Sequence, residues 1–293
     1  MSKLHYTELF YSIQGEGRYM GVPSVFLRMF GCNFRCKNFG RYEKDILGIE
    51  ETHNPEVVEF IKNIDQYKTF KDLPLAKTGC DSYSSIYPEF KQFVIKESSD
   101  AIVERIMEIL PHGEWRDEHL VITGGEPLLG WQKQYPDLLK HPKMKGLKEI
   151  TFETNGTMRL TTEFKQYLHT WKYHCDDVNF YRDVTFSVSA KLPCSGELWE
   201  DAIKPERVCE YEEYGTAYLK FVIATEEDFK DAERAIVEYR NAGFMGGVYL
   251  MPVGGVESVY AMNNRNVALL AMKHGLRYSD RLQVPLFKNE WGT

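Results

Sequence analysis

Six cysteines in 293 residues are too few for a disulfide scaffold, which small secreted proteins build from a far denser set. Long apolar runs are also missing. The longest, such as residues 248–253, have strand length and fall far short of the roughly 20 residues of a membrane-spanning helix. There is no excess of positive charge: 36 basic against 43 acidic residues leave a formal net charge of −7. No global attraction to nucleic acid or to an anionic membrane follows from that balance. The opening Met1-Ser2-Lys3-Leu4-His5-Tyr6 lacks the apolar core of a secretion signal. Neither an internal repeat nor a low-complexity tract is present. These absences predict a globular protein of the reducing cytoplasm. Its 43% hydrophobic and 27% charged residues are ordinary for one, and its length allows one large domain or two small ones.

What is present is an alternation. Residues 25–29, 120–123, 149–152, 184–189, 218–223 and 248–251 read as strands. Between them lie helical periods. Asp100 can cap a helix with Ile102, Val103, Ile106 and Ile109 on one stripe. Phe229, Ala232, Ile236 and Tyr239 face inward on a longer helix stopped by Gly243, and residues 266–274 form another stopped by Gly275. Such alternation predicts an α/β fold with a parallel sheet, open or curled into a barrel, and a site at the carboxyl ends of its strands. Residues 37–79 break the rhythm. Asn54-Pro55 reads as an N-cap and first helical residue, with Val57, Val58, Ile61 and Ile64 as an apolar stripe. The segment is expected to be an insertion with one short helix between charged loops, not a second domain.

Cys32 and Cys36, with three residues between them, are soft ligands of the kind that hold iron–sulfur clusters. A third cysteine would be expected after two more residues, where the chain has Phe39; the next is Cys80, with 43 residues between it and Cys36. Two near cysteines alone are as readily buried thiols as ligands, and a zinc site with His53 competes. Cys175, Cys194 and Cys209 stand apart from any pair and read as structural. At a strand end, Gly124 and Gly125 can expose backbone groups to a ligand and Glu126 can accept from an ammonium group, or Thr123 to Leu128 form only a tight turn. Gln14 offers donors and an acceptor, Glu16 two acceptors, and Arg28 a planar fork suited to a carboxylate. That set suits a flat heterocycle bearing a carboxylate, or it is a glycine-rich turn with a surface ion pair.

Together these residues resemble the radical S-adenosylmethionine enzymes, and within them the 7-carboxy-7-deazaguanine synthases. The likeness lies in Glu8 to Gly17, Gly21-Val22-Pro23, Phe26-Leu27-Arg28, Gly31-Cys32-Asn33, Thr123 to Pro127 and Glu153 to Thr157. In that family the third cysteine is followed by Asp, by Thr or Ser, and then by an aromatic residue. Cys80-Asp81-Ser82-Tyr83 matches. The resemblance therefore implies that Cys32, Cys36 and Cys80 hold a 4Fe-4S cluster, with residues 37–79 inserted between the second and third ligands. Each doubling of such a loop costs only about 0.6 kcal/mol of closure entropy. It implies a single radical S-adenosylmethionine domain, residues 1–293, folded as a partial, open TIM-like barrel of parallel strands with outer helices.

The resemblance further implies S-adenosylmethionine chelated to the open iron. Gly124, Gly125 and Glu126 would hold its amino end, and Thr154, Asn155, Ser189 and Lys191 the rest. No side chain is expected to be catalytic beyond the cofactor-derived radical. Mg2+ would be bound by Ser82. The implied substrate is 6-carboxy-5,6,7,8-tetrahydropterin, bound by Gln14, Glu16, Arg28 and Thr123. Hydrogen abstraction at C6 would start a ring contraction that loses ammonia and gives 7-carboxy-7-deazaguanine, for queuosine or for modified DNA. An electron donor such as flavodoxin or ferredoxin and a homodimer are family expectations. Departures are Phe39, Pro285 where histidine is expected, and a different course for Trp291-Gly292-Thr293. Two alternatives stay open: an activating enzyme that generates a radical on a protein partner, and a catalytically silent relative that binds a partner through the insertion.

Overall fold

Nine strands form one sheet in the computed structural model of this chain, which describes residues 3–41, 52–173 and 181–293. They are β1 (Leu4–Ile13), β2 (Pro23–Met29), β3 (Ile95–Glu97), β4 (His119–Gly124), β5 (Glu149–Thr154), β6 (Asp183–Val188), β7 (Thr216–Ile223), β8 (Val248–Pro252) and β9 (Arg277–Tyr278). The helices are α1 (Pro55–Lys62), α2 (Ser99–Ile109), α3 (Tyr135–Leu139), α4 (Thr162–Tyr173), α5 (Trp199–Ala202), α6 (Pro205–Tyr214), α7 (Glu226–Asn241), α8 (Glu257–His274) and α9 (Gln283–Phe287). The sheet order is β3-β1-β2-β4-β5-β6-β7-β8-β9, with β3 and β9 as its edges, so it is not closed. All pairs from β2 to β9 are parallel, and β1 runs antiparallel to both β2 and β3. From β4 onward the spatial order follows the chain order, while β3 crosses back to the far edge beside β1. Right-handed crossovers wound in one direction lay their helices on one face of a sheet and leave the other face for a site.

The two faces follow from the strand period of two. Leu27, Ile122, Phe152, Phe186 and Ala217 are register neighbours across β2, β4, β5, β6 and β7. All five are buried. Phe152 stacks on Phe186 at 5.7 Å and meets Phe164 of α4 edge-on at 5.7 Å, while Tyr211 of α6 stacks on Phe186 at 4.7 Å. This row is the helix side of the core. One residue further along each strand comes Arg28, Thr123, Glu153, Ser187 and Tyr218. The next row is therefore polar and faces the other way.

Several elements differ from expectation for local reasons. Ser98, not Asp100, caps α2 by accepting from the Ala101 amide at 3.3 Å, and Asp100 sits in the first turn, where a negative charge suits the helix N-terminus. Helix α8 begins at Glu257, well before residue 266. Strand β1 escapes a reading by period because Thr7 and Glu8 are buried beside its apolar residues.

In the insertion, the Asn54 side chain accepts from the Glu56 amide at 2.9 Å and caps α1. Val57 is buried but Val58 is exposed, so the apolar stripe is narrower than expected. The charged stretch before this helix falls largely on residues 42–51, outside the described residues; the loop after it carries a small apolar core. Val57, Leu73 and Ala76 build a second small core with Tyr83, Ile86, Tyr87 and Phe90, joined by Phe70 and Trp291. No described helix is long and apolar enough to cross a membrane.

Candidate active site

Arg28, Thr123 and Glu153 of the polar row floor a cavity of about 220 Å³ that collects residues from all along the chain. Of the residues that the resemblance assigns to the site, all but Glu126 line it: Gln14, Glu16, Arg28, Cys32, Cys36, Cys80, Ser82, Thr123, Gly124, Gly125, Thr154, Asn155, Ser189 and Lys191.

Cys80 reaches Cys32 and Cys36 because the insertion has a narrow neck. The Gly79 amide donates to the Phe39 carbonyl at 2.7 Å, which brings the two stems side by side. Asn54, fully buried, donates to the Lys37 carbonyl at 2.9 Å and to Thr78 Oγ1 at 3.1 Å. Glu56 takes the Thr78 hydroxyl at 2.7 Å and the Lys77 amide at 2.9 Å. Gly79 has a left-handed φ of +77°, and a Cβ there would fall 2.8 Å from Asn54 Nδ2, so only glycine fits. Phe39, where a cysteine was expected, packs beside the three thiols. Cys36 itself holds a φ of +48°, uncommon for a residue with a Cβ. The Glu197 carboxylate holds this turn by accepting the amides of Arg35 and Cys36 at 2.8 and 2.7 Å.

The glycines serve a close backbone approach. A Cβ on Gly124 would lie 2.1 Å from the Met29 carbonyl oxygen, and one on Gly125 would lie 2.2 Å from that of Gly31. The Glu126 amide donates to Gly31 at 2.8 Å, locking this turn onto the cysteine loop. Glu126 corrects the sequence reading. Its carboxylate is buried behind the loop and accepts from Thr154 Oγ1 at 2.8 Å, the Asn155 amide at 2.7 Å and the Leu128 amide at 3.0 Å. It ties the end of β4 to the end of β5 and has no exposed oxygen for an ammonium group. Thr154 likewise spends its hydroxyl on Glu126 and the Gly156 amide. Asn155 lies 4.0 Å from Cys32 Sγ, and Lys191 bonds Ser189 at 2.9 Å.

At the other end Gln14 is buried, its Nε2 donating to Glu153 at 3.1 Å. Thr123 donates to the second Glu153 oxygen at 2.7 Å. Glu16 is held by Lys220, by Arg281 Nε at 3.2 Å and by Gln283 at 2.9 Å. Burial pushes its carboxyl upward, but the Lys220 ammonium and the Arg281 guanidinium outweigh that and hold it at about 2. Arg281 also pairs with Asp81. Arg28 gives Nε to Glu8 at 2.7 Å and Nη1 to Ser82 at 2.8 Å, and its Nη2 makes no hydrogen bond to any described residue. The expected surface ion pair is thus a buried network. Sequence reading missed Glu153, Lys220, Arg281, Gln283 and Glu197. Lys220 did leave a signal, since it interrupts the apolar strand of residues 218–223.

The donor set fits an iron–sulfur cluster better than a single ion. Burial, and then Glu126, pushes the Cys32 thiol up to about 11. Burial, and then Asp81, pushes Cys80 up to about 12, and burial raises Cys36 well above its usual value. Such thiols keep their protons until a metal displaces them. Among the described residues no group of three or more His, Cys, Asp or Glu converges on one ion. A cubane places its thiolates on separate irons and needs no such convergence. His53, which the zinc reading required, stacks on Tyr87 at 4.6 Å and faces Glu89 at 3.3 Å. For magnesium the local oxygens are the Ser82 hydroxyl and the Asp81 carboxylate, already paired with Arg281. The ion would need water and substrate oxygens for its other positions. Cys194 donates to the Val222 carbonyl and Cys209 to that of Ala242, and neither cysteine lines the cavity; Cys175 lies outside the described residues.

No protein-family model matches the chain. It is 28% identical over 299 residues to the 7-carboxy-7-deazaguanine synthase of Halobacterium salinarum, covering 96% of this chain and 90% of the relative. It is 26% identical over 286 residues to that of Pyrobaculum aerophilum, covering 97% and 95%. Among solved structures, that of QueE from Escherichia coli superposes with a TM-score of 0.51 at 18% identity, covering 94% of this chain and 93% of the other. The likeness to these synthases extends along nearly the whole chain, and the solved structure shares its fold.

Proposed function

We infer that this chain is a 7-carboxy-7-deazaguanine synthase, a radical S-adenosylmethionine lyase that contracts 6-carboxy-5,6,7,8-tetrahydropterin to 7-carboxy-7-deazaguanine with loss of ammonia. The observation that carries this reading is the single cavity joining three thiols to the Gln14, Glu16 and Arg28 network. Full-length similarity to enzymes of that name supports it. When bound, the cluster and S-adenosylmethionine would supply one-electron chemistry that takes a hydrogen atom from a substrate carbon.

The chain's own residues bind and orient. Cys32, Cys36 and Cys80 would hold three irons and leave the fourth for the cofactor. Gly124 and Gly125 bring the β4 turn against the cysteine loop, which fits a cofactor lying across both. Asn155, Ser189 and Lys191 stand beside it as further contacts. Gln14, Thr123 and Glu153 present an amide, a hydroxyl and a carboxylate to the hydrogen-bonding edge of a pterin. Arg28, with Nη2 unspent, suits the substrate carboxylate. Mg2+ at Ser82 would meet that same carboxylate. Glu16, fixed as an anion, keeps Arg281 and Lys220 in place.

The proposal extends to an incompletely closed barrel in one domain, an external electron donor such as flavodoxin or ferredoxin, and a homodimer. The test is anaerobic incubation with the tetrahydropterin, S-adenosylmethionine, magnesium and a reductant, read by mass spectrometry. The deazapurine is the expected product. Cofactor cleavage without it overturns the substrate assignment, and a protein that takes up no cluster overturns the enzyme class.

A further inference from the structure

We propose that the insertion is a bracket that seats residues 289–293 over the substrate end of the cavity, with Trp291 as the positioning residue. The proposal rests on the pterin reading above.

Trp291 belongs to the insertion's small core although it lies far away in sequence. Its indole Nε1 donates to the Leu73 carbonyl at 2.7 Å. Its ring meets Phe70 edge-on at 4.7 Å and 69°, and Tyr83 at 6.0 Å and 72°. Edge-on aromatic pairs add to burial, and a bonded indole N–H fixes orientation as well as depth. The other end of the segment is tied by Asn289, which donates to the Gly255 carbonyl at 2.8 Å. Lys288 and Asn289 both take left-handed φ values, +54° and +57°, which turn the chain out of α9.

Held at Asn289 and at Trp291, residues 289–293 all line the cavity. A Cβ on Gly292 would come within 4.0 Å of Phe10, and Phe10 lies under the Arg28 guanidinium at 5.9 Å. The segment therefore covers the Arg28 end, where the substrate carboxylate is placed. Phe70 does not line the cavity, and its ring contact is with Trp291, which does.

Reconstituted enzyme with S-adenosylmethionine and no reductant can be titrated calorimetrically with the tetrahydropterin. Phe70→Ala and Trp291→Ala should each weaken its binding about tenfold, from loss of the edge-on contacts and the fixed segment. The double variant should be no weaker than Trp291→Ala alone, Trp291→Phe should keep most of the affinity, and S-adenosylmethionine affinity should stay within about twofold. Wild-type tetrahydropterin affinity in Phe70→Ala, or multiplication of the two effects, overturns the proposal. Should thermal scans show the alanine variants unfolded, Phe70→Leu and Trp291→Leu carry the same comparison. If the wild-type enzyme binds S-adenosylmethionine but no tetrahydropterin, the substrate reading itself falls and the bracket falls with it.

Discussion

The Gly79 amide and the Phe39 carbonyl are hydrogen-bonded at 2.7 Å, with residues 40–78, nearly all of the insertion, between them. Phe39 stands where an unbroken motif would carry its third cysteine, and Cys80 follows Gly79 directly. The pair therefore returns the chain to the place it left. Closing a loop of this length is a modest entropic cost, and the buried bonds of Asn54 and Glu56 across the neck work against it.

Asn54→Asp separates two roles of one side chain. Aspartate caps a helix as well as asparagine does, so α1 should persist. It cannot donate to Lys37 and Thr78, which leaves a buried carboxylate facing a carbonyl at a cost of about 1–3 kcal/mol. Iron and sulfide per chain should fall to half or less, with the circular dichroism spectrum unchanged. Wild-type cluster content and wild-type resistance to a chelator would remove the neck from the explanation.

Cys80→Ala should lose the cluster absorbance, whereas Cys194→Ala should keep it, because Cys194 does not line the cavity and its thiol is bonded to the Val222 carbonyl. A full cluster in Cys80→Ala would refute the split site.

Glu197 supports Cys36 from a different part of the chain. Glu197→Gln keeps an oxygen for the two amides and removes a negative charge beside the cluster position. The cluster should therefore assemble but be reduced at a more positive potential in an anaerobic redox titration followed by electron paramagnetic resonance. Glu197→Ala should assemble poorly, since nothing then holds the left-handed turn. An unchanged potential in Glu197→Gln would mean that its charge is not felt there.

The Glu16 network predicts a pH dependence. Its folded value of about 2 lies below the ordinary 4.5 because Lys220 and Arg281 overcome the burial cost. The pairing contribution is thus complete above about pH 4.5 and is lost as pH falls toward about 2. Glu16→Gln should be less stable than wild type by about 3–5 kcal/mol near neutrality, having left two buried cations short of a partner. In thermal melts that gap should shrink between pH 4.5 and 2. Lys220→Met in the Glu16→Gln background should recover part of the loss. A gap constant over that range would assign the destabilisation to packing.

Much of the sheet was legible because buried parallel strands read as short apolar runs, as in Leu120-Val121-Ile122. The site's floor was legible in part: Thr123 and Arg28 could be picked out one residue beyond apolar neighbours. Glu126 misled because sequence shows a carboxylate at a strand end without showing which way it turns. Arg281 and Glu16 each look like an exposed charge when read alone, and Lys220 shows only as a break in an apolar strand. Only their convergence, from β7, from the segment before α9 and from the turn after β1, makes them a buried set. The insertion's second core was hidden for a related reason, since its partners Tyr83, Phe90 and Trp291 lie outside it.

The bond from Gln283 to Glu16 joins positions 267 residues apart, and the Leu282 amide reaches the Gly15 carbonyl at 3.1 Å. Contacts so distant along the chain are the slowest to form, because their loop entropy must be met before they return any energy. During synthesis Cys32, Cys36 and Cys80 leave the ribosome long before the segment that walls them in. Until then they are accessible thiols in an unfinished pocket, open to the wrong metal and to oxidation. On the proposed reading the architecture sets a timetable: a cluster would be delivered to the released, folded chain, and the nascent cysteines would be guarded by something other than the fold itself.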